Sequence, residues 1–317
     1  MTSRLPNAAQ SEQALARQRK REPMETKSQK KRYIPSWVGN LPFKPDNKKP
    51  AIITRDMEIS TIYGAMPHEI RVQKYVSTNR ITYGDFEVPA GGFFAPADCH
   101  PGNECYTLLE GTATVLNPET GEAFEVQEGE AFLIEAGVWH QVFNFGEKNV
   151  KILGTIAPSI WSADQMGSEI DYLGETKFFK DNLILSKPWP PEIWAPEQRR
   201  MYPIRRDQFL HLVHGKERHI LVTLFVSNSY LHVGTLTIPE RGASDPEKHS
   251  GDEVLFVREG SLSIRTFEPG VEEKSVSQTS YEVLPGQKFL IPEGITHQYF
   301  NFMHKALTCN FSVAPEI

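Results

Sequence analysis

The chain has 317 residues, 39% of them hydrophobic, with 22 Gly and 23 Pro, which suits two packed domains of turn-rich β structure better than a helical protein. No apolar run approaches the ~20 residues of a membrane helix, no secretory apolar core follows Met1, and three cysteines are too few for a disulfide framework, so a soluble protein of the reducing cytoplasm is expected. The net charge of −6 is uneven, because residues 1–50 carry twelve Lys/Arg against four Asp/Glu, a local +8 that leaves −14 on the remaining 267 residues.

Residues 1–50 read as a disordered, solvated basic arm rather than a nucleic-acid-binding element. Glu12, Glu22 and Glu25 speak against a transit peptide. An ordered unit is expected over 51–157, with strand signals at 69–77, 80–88, 107–116, 123–126, 131–135, 140–145 and 150–156 between Gly, Asn and Asp breaks. Many short strands at this spacing predict an all-β sandwich or barrel. Residues 158–214 differ in composition, and read as a linker with helix near 162–172 and with Trp161, Trp189 and Trp194 as packing anchors. Strand signals resume at 219–226 and 230–238, opening a second unit over 215–317.

The second unit repeats the first. Gly84, Pro89 and Gly92 align with Gly234, Pro239 and Gly242 at an offset of 150 residues. His100, Gly102, Glu104 and Gly111 align with His249, Gly251, Glu253 and Gly260 at 149, and the run from His140 to Phe145 aligns with His297 to Phe302. In the second unit the spacing is G-x4-E-x-H-x3-E-x6-G, from Gly242 through Glu247, His249 and Glu253 to Gly260. It is followed by G-x5-P-x-G-x2-H-x3-N, from Gly286 to Asn301.

Those two motifs resemble the pair that defines the cupin family, with Glu247 where the usual pattern has His. The resemblance implies a bicupin: two jelly-roll β-barrels, each with a pocket. Residues two apart on a strand face the same way, so Glu247 and His249 point together, with Glu253 beyond a short turn and His297 on a separate strand. Two imidazoles and one carboxylate suit a divalent first-row metal with open positions, as in non-haem Fe(II) oxygenases. His249, Glu253 and His297 are therefore the expected ligands of Fe(II), with Mn(II) or another divalent ion as the alternative. Glu247 is either a fourth ligand or the base that removes a substrate proton.

The first unit offers a second possible site in Asp98, His100, Glu104 and His140, although Glu135 replaces the motif's Pro. Alternation past His297 puts Tyr299 on the ligand face, where it can bind substrate or stabilise developing charge. His232, whose repeat partner is Thr82, is a further candidate for the pocket wall. Cys99 and Cys105 fall on the opposite strand face and read as packing residues. No phosphate loop or dinucleotide fingerprint is present.

The overall form is similar to the large subunit of the two-subunit hydroquinone ring-cleaving dioxygenases. That resemblance implies O2 and a phenolic or dihydroxy-aromatic substrate, a homo-oligomer and a small partner subunit. Two other readings stand beside it. One is a metal-dependent isomerase, lyase or decarboxylase of a small sugar or organic acid. The other is a non-catalytic small-ligand binding protein.

Overall fold

The structure is a computed structural model that describes residues 35–64, 67–158, 160, 200–267 and 279–317. The first repeat contains β2 (Ile59–Tyr63), β3 (Ile70–Ser77), β4 (Thr82–Val88), β5 (Asn103–Glu110), β6 (Thr112–Leu116), β7 (Ala123–Gln127), β8 (Ala131–Ile134), β9 (Gln141–Phe143) and β10 (Val150–Ala157). The second contains β12 (Leu210–His214), β13 (Ile220–Ser227), β14 (His232–Ile238), β15 (Asp252–Val257), β16 (Leu262–Thr266), β17 (Thr279–Val283), β18 (Lys288–Ile291), β19 (His297–Phe300) and β20 (Leu307–Ala314). Two short strands precede the repeats, β1 (Ala51–Ile53) and β11 (Met201–Ile204).

Each repeat forms a jelly-roll barrel from a seven-stranded and a three-stranded sheet. The first barrel has the order β11-β8-β5-β10-β4-β3-β2 facing β7-β6-β9, and the second has β1-β18-β15-β20-β14-β13-β12 facing β17-β16-β19. The fold is thus all-β, with two cupin barrels. Inward side chains such as Phe86, Leu108, Val126 and Ile152 fill the first interior, and Leu236, Leu255, Ile264 and Phe289 fill the second. Outward side chains of the two large sheets, among them Tyr83, Cys105, Val233 and Val254, meet in a third apolar cluster that joins the barrels. Burial on both faces explains why β5 is buried from Asn103 to Leu109 and shows no alternation.

The strand order departs from the expected boundaries at both ends. Ala51–Ile53 pairs with β18 of the second barrel, although its place in the sequence puts it with the first. Met201–Ile204, within the expected linker, pairs with β8 of the first barrel. Each barrel therefore receives a strand from just ahead of the other repeat. β12 also lies within the expected linker, yet it is the edge strand paired with β13.

The basic arm likewise ends earlier than Pro50. Leu41 exchanges two backbone hydrogen bonds with Ser77, and Phe43 packs against the inter-barrel cluster. Lys48 reaches buried Asp252 at 2.9 Å. These apolar and charged partners are distant in sequence, so local composition does not reveal them. The helix expected near 162–172, and Trp161, Trp189 and Trp194, lie outside the described residues, as do residues 1–34.

Candidate metal centres

In the second barrel, the turn at residues 249–251 delivers the chain into β15, whose Glu253 points inward. His297 opens β19 and is tied to Glu247 by reciprocal backbone hydrogen bonds of 2.8 and 2.9 Å. One carboxylate oxygen, Glu253 Oε2, lies 3.4 Å from His249 Nε2 and 3.3 Å from His297 Nε2. Glu247, His249 and His297 also offer ligand atoms that all lie within 4.8 Å of one another. The structure thus brings together all four residues named from the motif.

The tautomers matter. His297 Nδ1 donates to the Ile295 carbonyl at 3.0 Å, so its Nε2 turns toward the cluster. In the first barrel, His100 Nδ1 donates to Gly102 O at 2.8 Å and His140 Nδ1 donates to Val138 O at 2.9 Å. Their Nε2 atoms lie 3.0 and 3.2 Å from Glu104 Oε2. His140 Nε2 is buried and makes no hydrogen bond. Lone pairs facing a carboxylate repel one another unless a proton or a metal ion lies between them. A carbonyl behind a ring Nδ1–H is the usual support of a metal-bound imidazole. Three of the four histidines fit a divalent ion on this ground, whereas the fourth, His249, has a buried Nδ1 with no partner.

Electrostatics agree with this donor set. Burial pushes the Glu104 and Glu253 carboxyls up, but the neighbouring histidines overcome it and hold both well below the usual carboxylate range. Burial lowers the pKa of His100 and His249, while Glu104 and Glu253 raise it, with a net upward shift.

Asp98 departs from expectation. It pairs its backbone with His140 as Glu247 does with His297, but its Oδ1 accepts the Cys99 N–H at 2.8 Å. The carboxylate turns back on its own chain, and the first-barrel cluster consists of His100, Glu104 and His140. Aspartate is one methylene shorter than glutamate, and that methylene separates the two outcomes.

Tyr299 is fully buried and does belong to the second centre. Its hydroxyl donates to Glu253 Oε2 at 2.7 Å and lies 2.8 Å from His297 Nε2. Burial, then the charges of Glu253 and Glu247, push its pKa well above the ordinary value, so it stays a phenol. His232 is not brought into the cluster; it bonds Ser227 Oγ across the strand pair at 2.9 Å. Cys105 is buried in the inter-barrel cluster, and Cys99 is half-buried.

His214 was missed by sequence reasoning. Its Nε2 lies 2.9 Å from Glu247 Oε2, while Glu247 Oε1 is 3.8 Å from His297 Nε2. The alternation of Leu210, Leu212 and His214 was the available signal. A cavity of about 120 Å³ reaches this centre, bounded by His214, Glu247, His249 and Glu253 and by aliphatic side chains including Leu212, Leu224 and Leu236. A larger cavity of about 710 Å³, near Asn103, Arg200 and Tyr230, touches none of the ligand residues.

Comparison with known proteins supports the fold. The cupin domain family matches residues 84–156. The formate complex of Lactobacillus farciminis oxalate decarboxylase is similar over 86% of this chain and 87% of its own, with TM-score 0.57 and 13% identity. Vicilin from Corylus avellana is similar over 83% and 85%, with TM-score 0.54 and 15% identity. A Bacillus subtilis oxalate decarboxylase described with Mn(II) centres is similar over 85% and 78%, with TM-score 0.57 and 11% identity. No curated protein matches the sequence. Identities this low establish the shared fold alone.

Proposed function

We propose that the second barrel is a metal-dependent catalytic centre in which His249, Glu253, His297 and Glu247 hold Fe(II) or Mn(II), and that it oxidises a small phenolic or dihydroxy-aromatic molecule with O2. The observation that carries this reading is the convergence of two imidazole Nε2 atoms on Glu253 Oε2 at the wall of an apolar cavity. Two carboxylates and two neutral imidazoles balance a divalent cation, and oxygen–nitrogen donor sets of this kind suit both metals. Bound there, the ion supplies Lewis acidity and, as iron, one-electron chemistry toward O2.

The chain's own residues do the rest. Glu247 stands at the cavity wall with one oxygen toward His297 and the metal position, which leaves the other, held by His214, to accept the proton of a substrate hydroxyl. Tyr299 holds the Glu253 carboxylate from behind. The aliphatic wall excludes water and strengthens each charge interaction inside it.

A second reading keeps the metal and omits O2: a lyase, isomerase or decarboxylase in which Glu247 moves a proton. The Glu247–His214 contact favours it. Oxygen uptake by iron-loaded protein across a panel of diphenols separates the two. Uptake with ring cleavage supports the oxygenase. Turnover that continues under nitrogen supports the second reading and overturns the first.

A further inference from the structure

We infer that Leu224 and Leu236 set the specificity of the second barrel: its cavity takes a single-ring body with one oxygen-bearing edge toward the metal, and turns away dicarboxylates and polyols. This inference rests on the metal reading above and deepens it.

Size comes first. About 120 Å³ is far below the ~300–1,000 Å³ of drug-sized sites and close to the ~150 Å³ of an apolar cavity that admits benzene. The wall is formed by Leu212, Val222, Leu224, Leu236, Phe311 and Val313, and the ionisable residues beside them are His214, Glu247, His249 and Glu253. No Lys or Arg is among the described lining residues. With Glu247 and Glu253 already balancing a divalent ion, and His214 already paired with Glu247 at 2.9 Å, a dianion brings charge that no unpaired cation among the described lining residues compensates. A polyol leaves its hydroxyls facing methyl groups.

The repeat supplies an internal control. Strand register makes Phe86 the equivalent of Leu236, since they pair with Val72 and Val222, and makes Lys74 the equivalent of Leu224, since they pair with Gly84 and Gly234. In the first barrel Phe86 packs edge-on against Phe94 and Tyr106, with ring centroids 6.0 and 5.4 Å away. Those two rings in turn meet His140 at 6.5 and 6.1 Å, so aromatic rings fill the space beside the imidazole. Lys74 carries an amine into this interior; burial lowers its pKa, and the charges of Glu104, Asp98 and Asp85 oppose that shift. The same fold therefore sets aromatic rings beside the imidazole in one barrel and an aliphatic-walled cavity beside it in the other.

The test uses full-length protein loaded with Co(II), whose visible absorption reports ligand approach, and whose cobalt content is measured separately. Catechol or phenol is expected to perturb the spectrum saturably, and oxalate and ribose at the same concentration to leave it unchanged. Leu236→Phe is expected to keep its cobalt and weaken phenol binding at least tenfold. Leu212→Trp, on the more exposed part of the wall, does the same without burdening the core. Oxalate or ribose binding as tightly as phenol overturns the inference, as does unchanged phenol affinity in both variants. Protein that retains no cobalt overturns the metal reading itself, and the specificity with it.

Discussion

The Lys48–Asp252 pair is a direct test of how the barrels are held. Asp252 is 0% exposed, and Lys48 meets both of its oxygens at 2.9 Å with its own side chain 8% exposed. Asp252 also accepts the Thr78 hydroxyl at 2.6 Å and the Glu293 N–H at 3.0 Å. Lys48→Met leaves a buried carboxylate without its cation, which costs about 3–5 kcal/mol. At roughly 2–4 °C per kcal/mol, the thermal midpoint falls by about 10 °C. The first barrel shows the remedy, because Asn103 occupies the position of Asp252 and accepts the Ala136 N–H there at 2.9 Å. The double variant Lys48→Met/Asp252→Asn removes both charges and keeps the amide contact, so it recovers all but about 1 kcal/mol. Thermal and urea denaturation of the four proteins measure the coupling. A Lys48→Met loss below about 1 kcal/mol, or a double variant no more stable than the single one, refutes the reasoning.

Other outcomes follow from the same geometry. His249→Ala and His297→Ala each abolish activity and metal retention in the second barrel, whereas His100→Ala and His140→Ala chiefly lower stability; metal analysis beside activity reads both. In metal-free protein the raised pKa of His100 and His249 contributes stability that is present below the ordinary 6.5 and is lost as pH rises through the folded values. The depressed carboxyls of Glu104 and Glu253 contribute stability present above the ordinary 4.5 and lost as pH falls. Denaturation midpoints of metal-free protein therefore decline as pH rises past 6.5, and saturating Mn(II) removes that decline by replacing the proton between the donors. Gly234→Ala drives a Cβ into Thr223 O and to 3.0 Å from the Phe311 ring, and is expected to reduce soluble yield sharply. A fragment of residues 51–157 lacks β11 and leaves the β8 edge open, so it aggregates where the full chain does not, as light scattering would show.

The barrels were legible because their motifs combine turn glycines with ligand spacing, and because the chain states them twice. His100 with Glu104, and His249 with Glu253, stand four apart for the same reason in both halves. What the sequence concealed lay in short strands and distant pairings. Ala51–Ile53 is three residues long, too short for any period to show, and its partner β18 is some 240 residues away. His214 lies ahead of the strand signal at 219–226, although its register partner Ile220 matches the pairing of Tyr63 with Ile70. Asp98 looked equivalent to Glu247 because backbone pattern reports position and not side-chain reach. Tyr106 and Tyr299 teach a similar lesson. Each barrel sets a tyrosine against its ligand carboxylate, but Tyr106 sits on β5 opposite Gly154, where the second barrel pairs Leu255 with Phe311.

The reciprocal loan of β1 and β11 ties the fate of one half to the other. A lesion that unravels either repeat withdraws a strand from its neighbour, so damage at one His/Glu cluster spreads through the backbone to the second. Neither half can then be discarded as surplus: a barrel whose chemistry had lapsed would still be kept as the clamp on its working twin.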